Sequence, residues 1–507
     1  MAITKTYSAQ LIGLRMEIIT IEIDISNGLH SFSIVGLGDR AIDEAKDRIS
    51  AAIKNSGYIS PKQKNQKVTI SLAPADMRKE GPSFDLAMAL AYVSAAEHLE
   101  LDAERKLFLG ELSLDGSVRK VSGILPILCQ AKKHGFTTAF IPRDNSTEAS
   151  LVQDMTLYAI SSMRDIIDHC VHAKHLKPLI HAVIPENEET QTYEPDMAHI
   201  RGNETAKRGL EIAMAGAHNI IMCGPPGTGK TMLAKSARSI LPRLSYEQAV
   251  EVTGIHSAAR MLGSELITHP PFRAPHHTAS YPSIIGGGSF PKPGEITLAH
   301  RGVLYLDELP EFDRDVLEAL RQPLEDRIIT ISRARGTLTF PAQCMLIASM
   351  NPCPCGLGKD AGCTCSERVI ACYRQRLSKP IMDRIDIWIS VAKIDYNRLA
   401  ASHYEAERSE TIRSRIISAR TRQVNRFHAH DRHIYYNSEM GAEDIEKYVQ
   451  IDESARNILR ISAEKLSLSG RAFHRVIKVA QTIADLAGKD CVEKEFVLEA
   501  LQYRENI

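Results

Sequence analysis

A chain of 507 residues is too long for one hydrophobic core, and about two to four domains are expected. Its 62 basic and 62 acidic residues cancel, which excludes a globally basic nucleic-acid binder and leaves that task to local patches. Apolar residues make up 44%, yet no apolar run is long enough to span a bilayer and the start has no signal-like core, so a cytoplasmic protein without a membrane partner is expected.

Near the start, MEIITIEIDI (16–25) sets Ile19, Ile21, Ile23 and Ile25 on one face and Glu22 and Asp24 on the other, the period of a strand. KVTISLAP reads as a second strand and FDLAMALAYVSAA as a buried helix. Residues 1–178 therefore form an α+β domain in this reading. An acidic, proline-flanked stretch follows, IPENEETQTYEPD, within a linker at 179–197. Strands and helices then alternate over 198–395, as a parallel α/β core requires, and the pattern turns helical over 396–507. The Arg-rich stretch from Arg413 to Arg426 in that last part reads as a solvated face before a DNA site.

The chemistry lies in the α/β part. NIIMC followed by GPPGTGKT is strand, glycine loop and helix start. Gly224, Pro225, Pro226, Gly227, Thr228 and Gly229 form a loop whose amides can approach phosphate; Lys230 reaches the terminal phosphates of ATP, and Thr231 holds Mg²⁺. GVLYLDEL supplies an apolar strand ending in Asp307, for the metal, and Glu308, for polarising water. CMLIASMN ends in Asn351, placed to orient water or sense the γ-phosphate. In LSKPIMDRIDI, Arg384 reads as an arginine finger offered to a neighbouring subunit; Arg471 in SGRAFHR reads as a further γ-phosphate sensor, with Arg374 and Arg475 in reserve.

Between Asn351 and Arg384 sits a Cys-rich insert, 353–372, with Cys353, Cys355, Cys363 and Cys365 and a spare Cys372. Four thiolates fit a closed structural Zn²⁺ site, although C-x-C is tighter than the usual pair and its side chains would point apart in a strand. Reduced thiols without metal and redox chemistry stay open as alternatives. Two segments offer cations for DNA phosphates: a hairpin at 327–343 with Arg333 and Arg335 near its tip, and the insert from Ile255 to Glu295 with Arg273, His276 and Lys292. Solvated loops are the plain alternative for both.

Residues 198–390 resemble an AAA+ ATPase of the magnesium-chelatase-like branch. PFRAPHHTAS, GEITLAHRGVLYLDELPEF and the MNPCPCG run narrow the resemblance to the ComM (YifB-type) family, over essentially the whole chain. It implies an AAA+ P-loop core with a helical lid, assembled as a homohexamer. It also implies ATP-driven translocation on single-stranded, forked or branched DNA and branch migration in natural transformation and recombination, alongside recombination proteins. KEGPSFDLAMAL and GELSLDGSVRKVSGILPIL are similar to the Lon protease domain, an S5-like fold. The family nucleophile falls on Ser83, but Leu125 stands where the lysine base belongs, so Ser83 is expected to cap the helix beginning at Phe84 instead. A chelatase motor subunit and an ATP-dependent protease are the rival readings.

Overall fold

A computed structural model of the chain describes residues 4–36, 40–75, 79, 81–171, 173–182, 195–261, 266–288, 292–333, 336–358, 362–393, 406–428 and 434–504. Of the expected linker, 179–197, residues 183–194 lie outside these. No described helix is long and apolar enough to cross a membrane. The chain divides into two compact units. The first comprises Met1–Asn187, Tyr246–Ile267 and Phe290–Lys292; the second comprises Glu188–Ser245, Thr268–Ser289 and Pro293–Ile507.

In the first unit the alternating stretch is the strand Arg15–Asn27, with Ile19 and Ile21 fully buried, Ile23 nearly so, and Ile25 at the margin. It pairs antiparallel with Thr4–Ile12 on one side and with Gln66–Ala73 on the other, and Ser31–Val35 adds a parallel edge. A second, three-stranded parallel sheet holds Lys106–Phe108, Thr138–Pro142 and Thr156–Ile160. The helix Asp85–Ala96 is buried without a break from Asp85 to Ser94, as expected of a helix apolar on every face. Ser83 does not cap it. Pro82–Phe84 is a 3₁₀ turn running straight into the helix, so Ser83 lies inside a helical turn, and neither Gly81 nor Phe84 makes a side-chain cap. The helix Tyr246–Ala258 also belongs to this unit, a chain reversal that local pattern does not reveal.

The second unit is built on a five-stranded sheet ordered Phe272–Arg273, Val303–Leu306, Met345–Met350, Ile220–Cys223, Ile387–Ser390, every pair parallel. Strands 303–306 and 345–350 are buried at every position, which is why they read as continuous apolar runs. The registers align Cys223 with Met350 and Leu306 with Ala348. The loops after Cys223, Leu306 and Met350 therefore leave the same carboxyl edge, where ligands of open parallel sheets are held.

The expected hairpin forms from Ile328–Arg333 and Gly336–Pro341, antiparallel, with Arg333 opposite Gly336. Its Arg335, and the side chain of Arg333, lie outside the described residues. The Arg-rich helix, Ser409–His428, exposes one face with Ser414, Ile417, Ser418 and Thr421, but four of its arginines are engaged in pairing rather than free. Arg413 donates to the Ser239 carbonyl and Arg420 to the Met214 carbonyl, Arg415 pairs with Glu211 and Glu407, and Arg426 with the buried Asp485. Arg413, Arg415 and Arg420 fasten it to the helices Glu204–Gly216 and Lys230–Ile240, and Arg426 ties it to Gly470–Leu486 within the helical part.

Candidate functional site

The phosphate loop joins the end of strand 220–223 to the helix Lys230–Ile240. Its glycines have separate reasons. Gly227 and Gly229 have φ of +75° and +87°, and a Cβ at either would meet nothing within 4 Å, so the loop opens onto free space. Gly224 is close-packed: a Cβ there would lie 2.2 Å from the Val391 carbonyl oxygen. Thr228 ties the loop to itself by donating to the Pro225 carbonyl at 2.9 Å.

Lys230 lies under this loop. Its ammonium donates to the Gly224 and Pro225 carbonyls, the latter at 2.9 Å, and to Asn351 Oδ1 at 3.1 Å. Burial draws its pKa below the ordinary lysine value, against the opposing pull of the nearby Asp307 and Glu308 carboxylates. Thr231 Oγ1 donates to Asp307 Oδ2 at 3.1 Å, which sets a hydroxyl and a carboxylate side by side as a hard divalent cation requires. The other Asp307 oxygen accepts from Ser349 Oγ and from the Glu308 amide at 3.1 Å. Tyr305 hydrogen-bonds Ser349 at 3.3 Å, a second layer that fixes the carboxylate, and burial pushes its phenol up to about 12.

Glu308 is half exposed and has φ of +54°, a left-handed conformation uncommon for a residue with a Cβ. His277 Nδ1 lies 3.7 Å from Glu308 Oε2, and the His277 ring meets Phe312 edge-on. His277 escaped the sequence reading, as did Ser349; the only signal was the position of His277 inside PFRAPHHTAS.

Arg384 and Arg471 do not join this group. The Asp386 and Ile387 amides donate to the Asn219 carbonyl at the start of strand 220–223, and Asn219 Nδ2 donates to the Arg384 carbonyl at 3.0 Å. Arg384 thus stands at the amino edge of the sheet, a strand's length (about 13 Å for four residues) from the glycine loop at the carboxyl edge. There its guanidinium pairs with Glu325, and Arg471 approaches the same carboxylate at 3.5 Å. Glu325 was missed because its partners lie 59 and 146 residues away in sequence. Of the reserve residues, Arg475 is held by the Met382 and Ile385 carbonyls and Asp383, while Arg374 is exposed on the helix Glu367–Gln375.

Arg273, expected to meet DNA, spends its guanidinium on Glu295 in a two-pronged ion pair, Nε to Oε2 at 2.6 Å and Nη2 to Oε1 at 2.8 Å. Lys292 is exposed. The four cysteines converge: one sulfur from each of Cys353, Cys355, Cys363 and Cys365 lies within 4.8 Å of all the others. The C-x-C pair can do this because residues 352–356 form a turn rather than a strand.

The description "Magnesium chelatase, subunit ChlI" matches residues 196–399, "Subunit ChlI of Mg-chelatase" residues 21–145, and "Magnesium chelatase, subunit ChlI C-terminal" residues 406–504. The chain is 38% identical to the competence protein ComM of Haemophilus influenzae over 511 residues, covering 99% of this chain and 98% of that one. It is 36% identical to the YifB protein of Escherichia coli over 518 residues, covering 99% and 97%. A shorter match, 29% identical over 202 residues, reaches the DNA replication licensing factor mcm2 of Xenopus tropicalis and covers 37% of this chain and 20% of that one.

Proposed function

The chain belongs to the ComM/YifB family of magnesium-chelatase-like AAA+ proteins, and from that premise we propose that it is an ATPase working as a homohexameric ring that translocates on DNA. The observation that carries the reading is the division of the charged groups between two edges of one sheet. Lys230, Thr231, Asp307, Glu308 and Asn351 gather at the carboxyl edge, and Arg384 and Arg471 at the amino edge. A single subunit then holds an incomplete site, and a neighbour's amino edge supplies the missing cations.

In this reading Lys230 binds the terminal phosphates of ATP, and the loop amides of 224–229 cradle them. Thr231 and Asp307 hold Mg²⁺, which when bound neutralises phosphate charge. Glu308 orients and deprotonates the attacking water, with His277 at hand to set its carboxylate. Asn351 links the terminal phosphate to the strand that ends beside it. Arg384 and Arg471 leave Glu325 for the phosphates of the adjoining subunit as the ring closes.

DNA enters on two grounds: full-length likeness to a protein named for competence, and the further match to a replication licensing factor. Its action would be branch migration and helicase activity on forked or branched DNA during transformation and recombination, in the cytoplasm and with recombination proteins. The hairpin formed by 328–333 and 336–341 is the gripping element, Arg333 and Arg335 being the cations its sequence offers, and Lys292 is a further contact. The cysteine cluster is a candidate Zn²⁺ site. Phosphate release by the purified chain should rise several-fold with forked or single-stranded DNA, steeply less so at high salt. A rate indifferent to every DNA would remove the DNA reading and leave the ATPase. The chelatase alternative would then gain, while proteolysis is opposed by Leu125 in either case.

A further inference from the structure

The cysteine cluster is packed against the nucleotide loop, and its geometry is that of a ligand set. Sulfur separations are 3.2 Å for Cys353 and Cys355, 3.4 Å for Cys353 and Cys363, and 3.5 Å for Cys355 and Cys363. Disulfides need about 2.05 Å. Four thiolates around one zinc at about 2.3 Å stand roughly 3.8 Å apart, close to what is found. The backbone is arranged to match. Gly356 and Gly358 take φ of +82° and +77°, the Gly356 amide closes the turn on the Cys353 carbonyl at 2.9 Å, and two further amides point at sulfur. These are Gly358 N to Cys353 Sγ and Cys365 N to Cys363 Sγ, both 3.4 Å. Amides aimed at sulfur favour the thiolate that a metal takes.

Two contacts connect this knuckle to the phosphate loop. Cys353 is 1% exposed and lies two residues beyond Asn351, the acceptor for Lys230. Gly356 abuts the loop itself, for a Cβ there would stand 2.9 Å from Pro226 Cδ and 3.1 Å from its Cγ. The geometry points to a zinc knuckle that braces the phosphate loop: a metal bound by Cys353, Cys355, Cys363 and Cys365 holds Pro226 and Asn351, and through them Lys230, in the arrangement that binds nucleotide. A segment as short as 352–365 cannot build a hydrophobic core, so metal is what would keep that turn in place. Nucleotide affinity then depends on a metal that never touches the nucleotide. The inference rests on the ATP-binding reading above.

The test uses the full chain, purified without added metal. Elemental analysis should find about one zinc per chain, and a zinc-selective chelator should weaken binding of a fluorescent ATP analogue roughly 5- to 10-fold, reversed by zinc alone. Zinc below about 0.2 per chain in freshly reduced protein would overturn the metal site. Zinc near one per chain, with affinity unchanged within about two-fold after its removal, would overturn the brace and leave the metal. If removal of zinc unfolds the unit, Gly356→Ala decides. Its methyl presses on Pro226 at a backbone φ that strains any side chain, so affinity is read on protein that elemental analysis shows to have kept its zinc; there it should fall at least about three-fold, and unchanged affinity would refute the brace. A zinc-loaded chain that binds no nucleotide would sink the ATP reading, and the brace with it, while the zinc site stands.

Discussion

Two places in this molecule share one local design, a Gly-Pro turn that opens a helix, and put it to opposite use. In the second unit the turn is 224–229 and the helix Lys230–Ile240 has no acidic residue in its first turn, so the positive end of the helix faces open space. In the first unit Gly81 and Pro82 lead into Asp85–Ala96, whose first turn carries its own carboxylate. Asp85 is fully buried and locked on Arg48, Nε to Oδ2 at 3.0 Å. One helix start is left open to an anion; the other is filled by the chain's own buried carboxyl group. A motif is therefore read by what converges on it, and the same Gly-Pro signal is compatible with a ligand site or with a plug in a core.

The sharpest way to break the comparison is to show that the open turn needs nothing from outside its subunit. Arg384→Ala should lower ATP hydrolysis about 10³-fold or more, while nucleotide affinity holds, because Arg384 stands at the far edge of its own sheet. Glu308→Gln should bind ATP and hydrolyse it about 10²-fold more slowly or worse. Rings mixed from the two variants contain interfaces with an intact Glu308 and an intact Arg384, and phosphate release should partly return. No recovery at any ratio would place both groups within one subunit. Next in size, Lys230→Ala removes a charged donor and should weaken ATP binding roughly 10- to 100-fold, measured by titration with a fluorescent analogue.

What was legible from sequence follows the range of the contacts. The period of two around Ile21 and the continuous apolar runs at 303–306 and 345–350 are local signals, and both became the strands they implied. The hairpin at 328–341 was equally local. Glu325 is invisible to such reading, since it matters only through Arg384 and Arg471, which chain order keeps far away. The arginines of 413–426 misled for the same reason: their partners at 211, 214, 239 and 485 come from other elements. The doubt over C-x-C arose from assuming extended backbone, and the turn at 352–356 removes that premise.

The closed turn makes its own prediction, in pH. Burial raises the Asp85 carboxyl from 3.8 to about 7, against the pull of Arg48, while the unfolded chain titrates it in the ordinary range. Folded protein thus holds this proton where unfolded protein releases it. The stabilisation is fully present below about pH 4 and lost as pH rises through about 7, a difference on the order of a few kcal/mol. Thermal melts of the full chain should show the first unit weakening across that window. Asp85→Asn should flatten the slope, and a slope unchanged in that variant would mean the titrating group is another.

The smallest expected effect is at Ser83, and it tests whether the closed turn has any chemistry left. Among the described residues no side chain hydrogen-bonds the Ser83 hydroxyl; its carbonyl accepts from the Gly110 amide at 3.2 Å, a structural task. Leu125, at the position of the missing base, is fully buried in an apolar cluster, with its amide on Glu148 Oε1 at 3.1 Å. Lys120 and Lys133 are exposed, Lys132 pairs with Asp154, and the buried Lys79 ammonium donates to the Pro74 carbonyl. A serine needs a base within hydrogen-bond reach to attack a peptide carbonyl. Ser83→Ala should therefore change DNA-stimulated ATP turnover by less than about two-fold, since surface-type substitutions without a named partner cost little. The parent chain should leave an unfolded protein substrate intact over hours. Cleavage of that substrate by the parent, abolished in Ser83→Ala, would reopen the first turn as a catalytic site, and Lys79, four residues upstream, would be the first residue to replace.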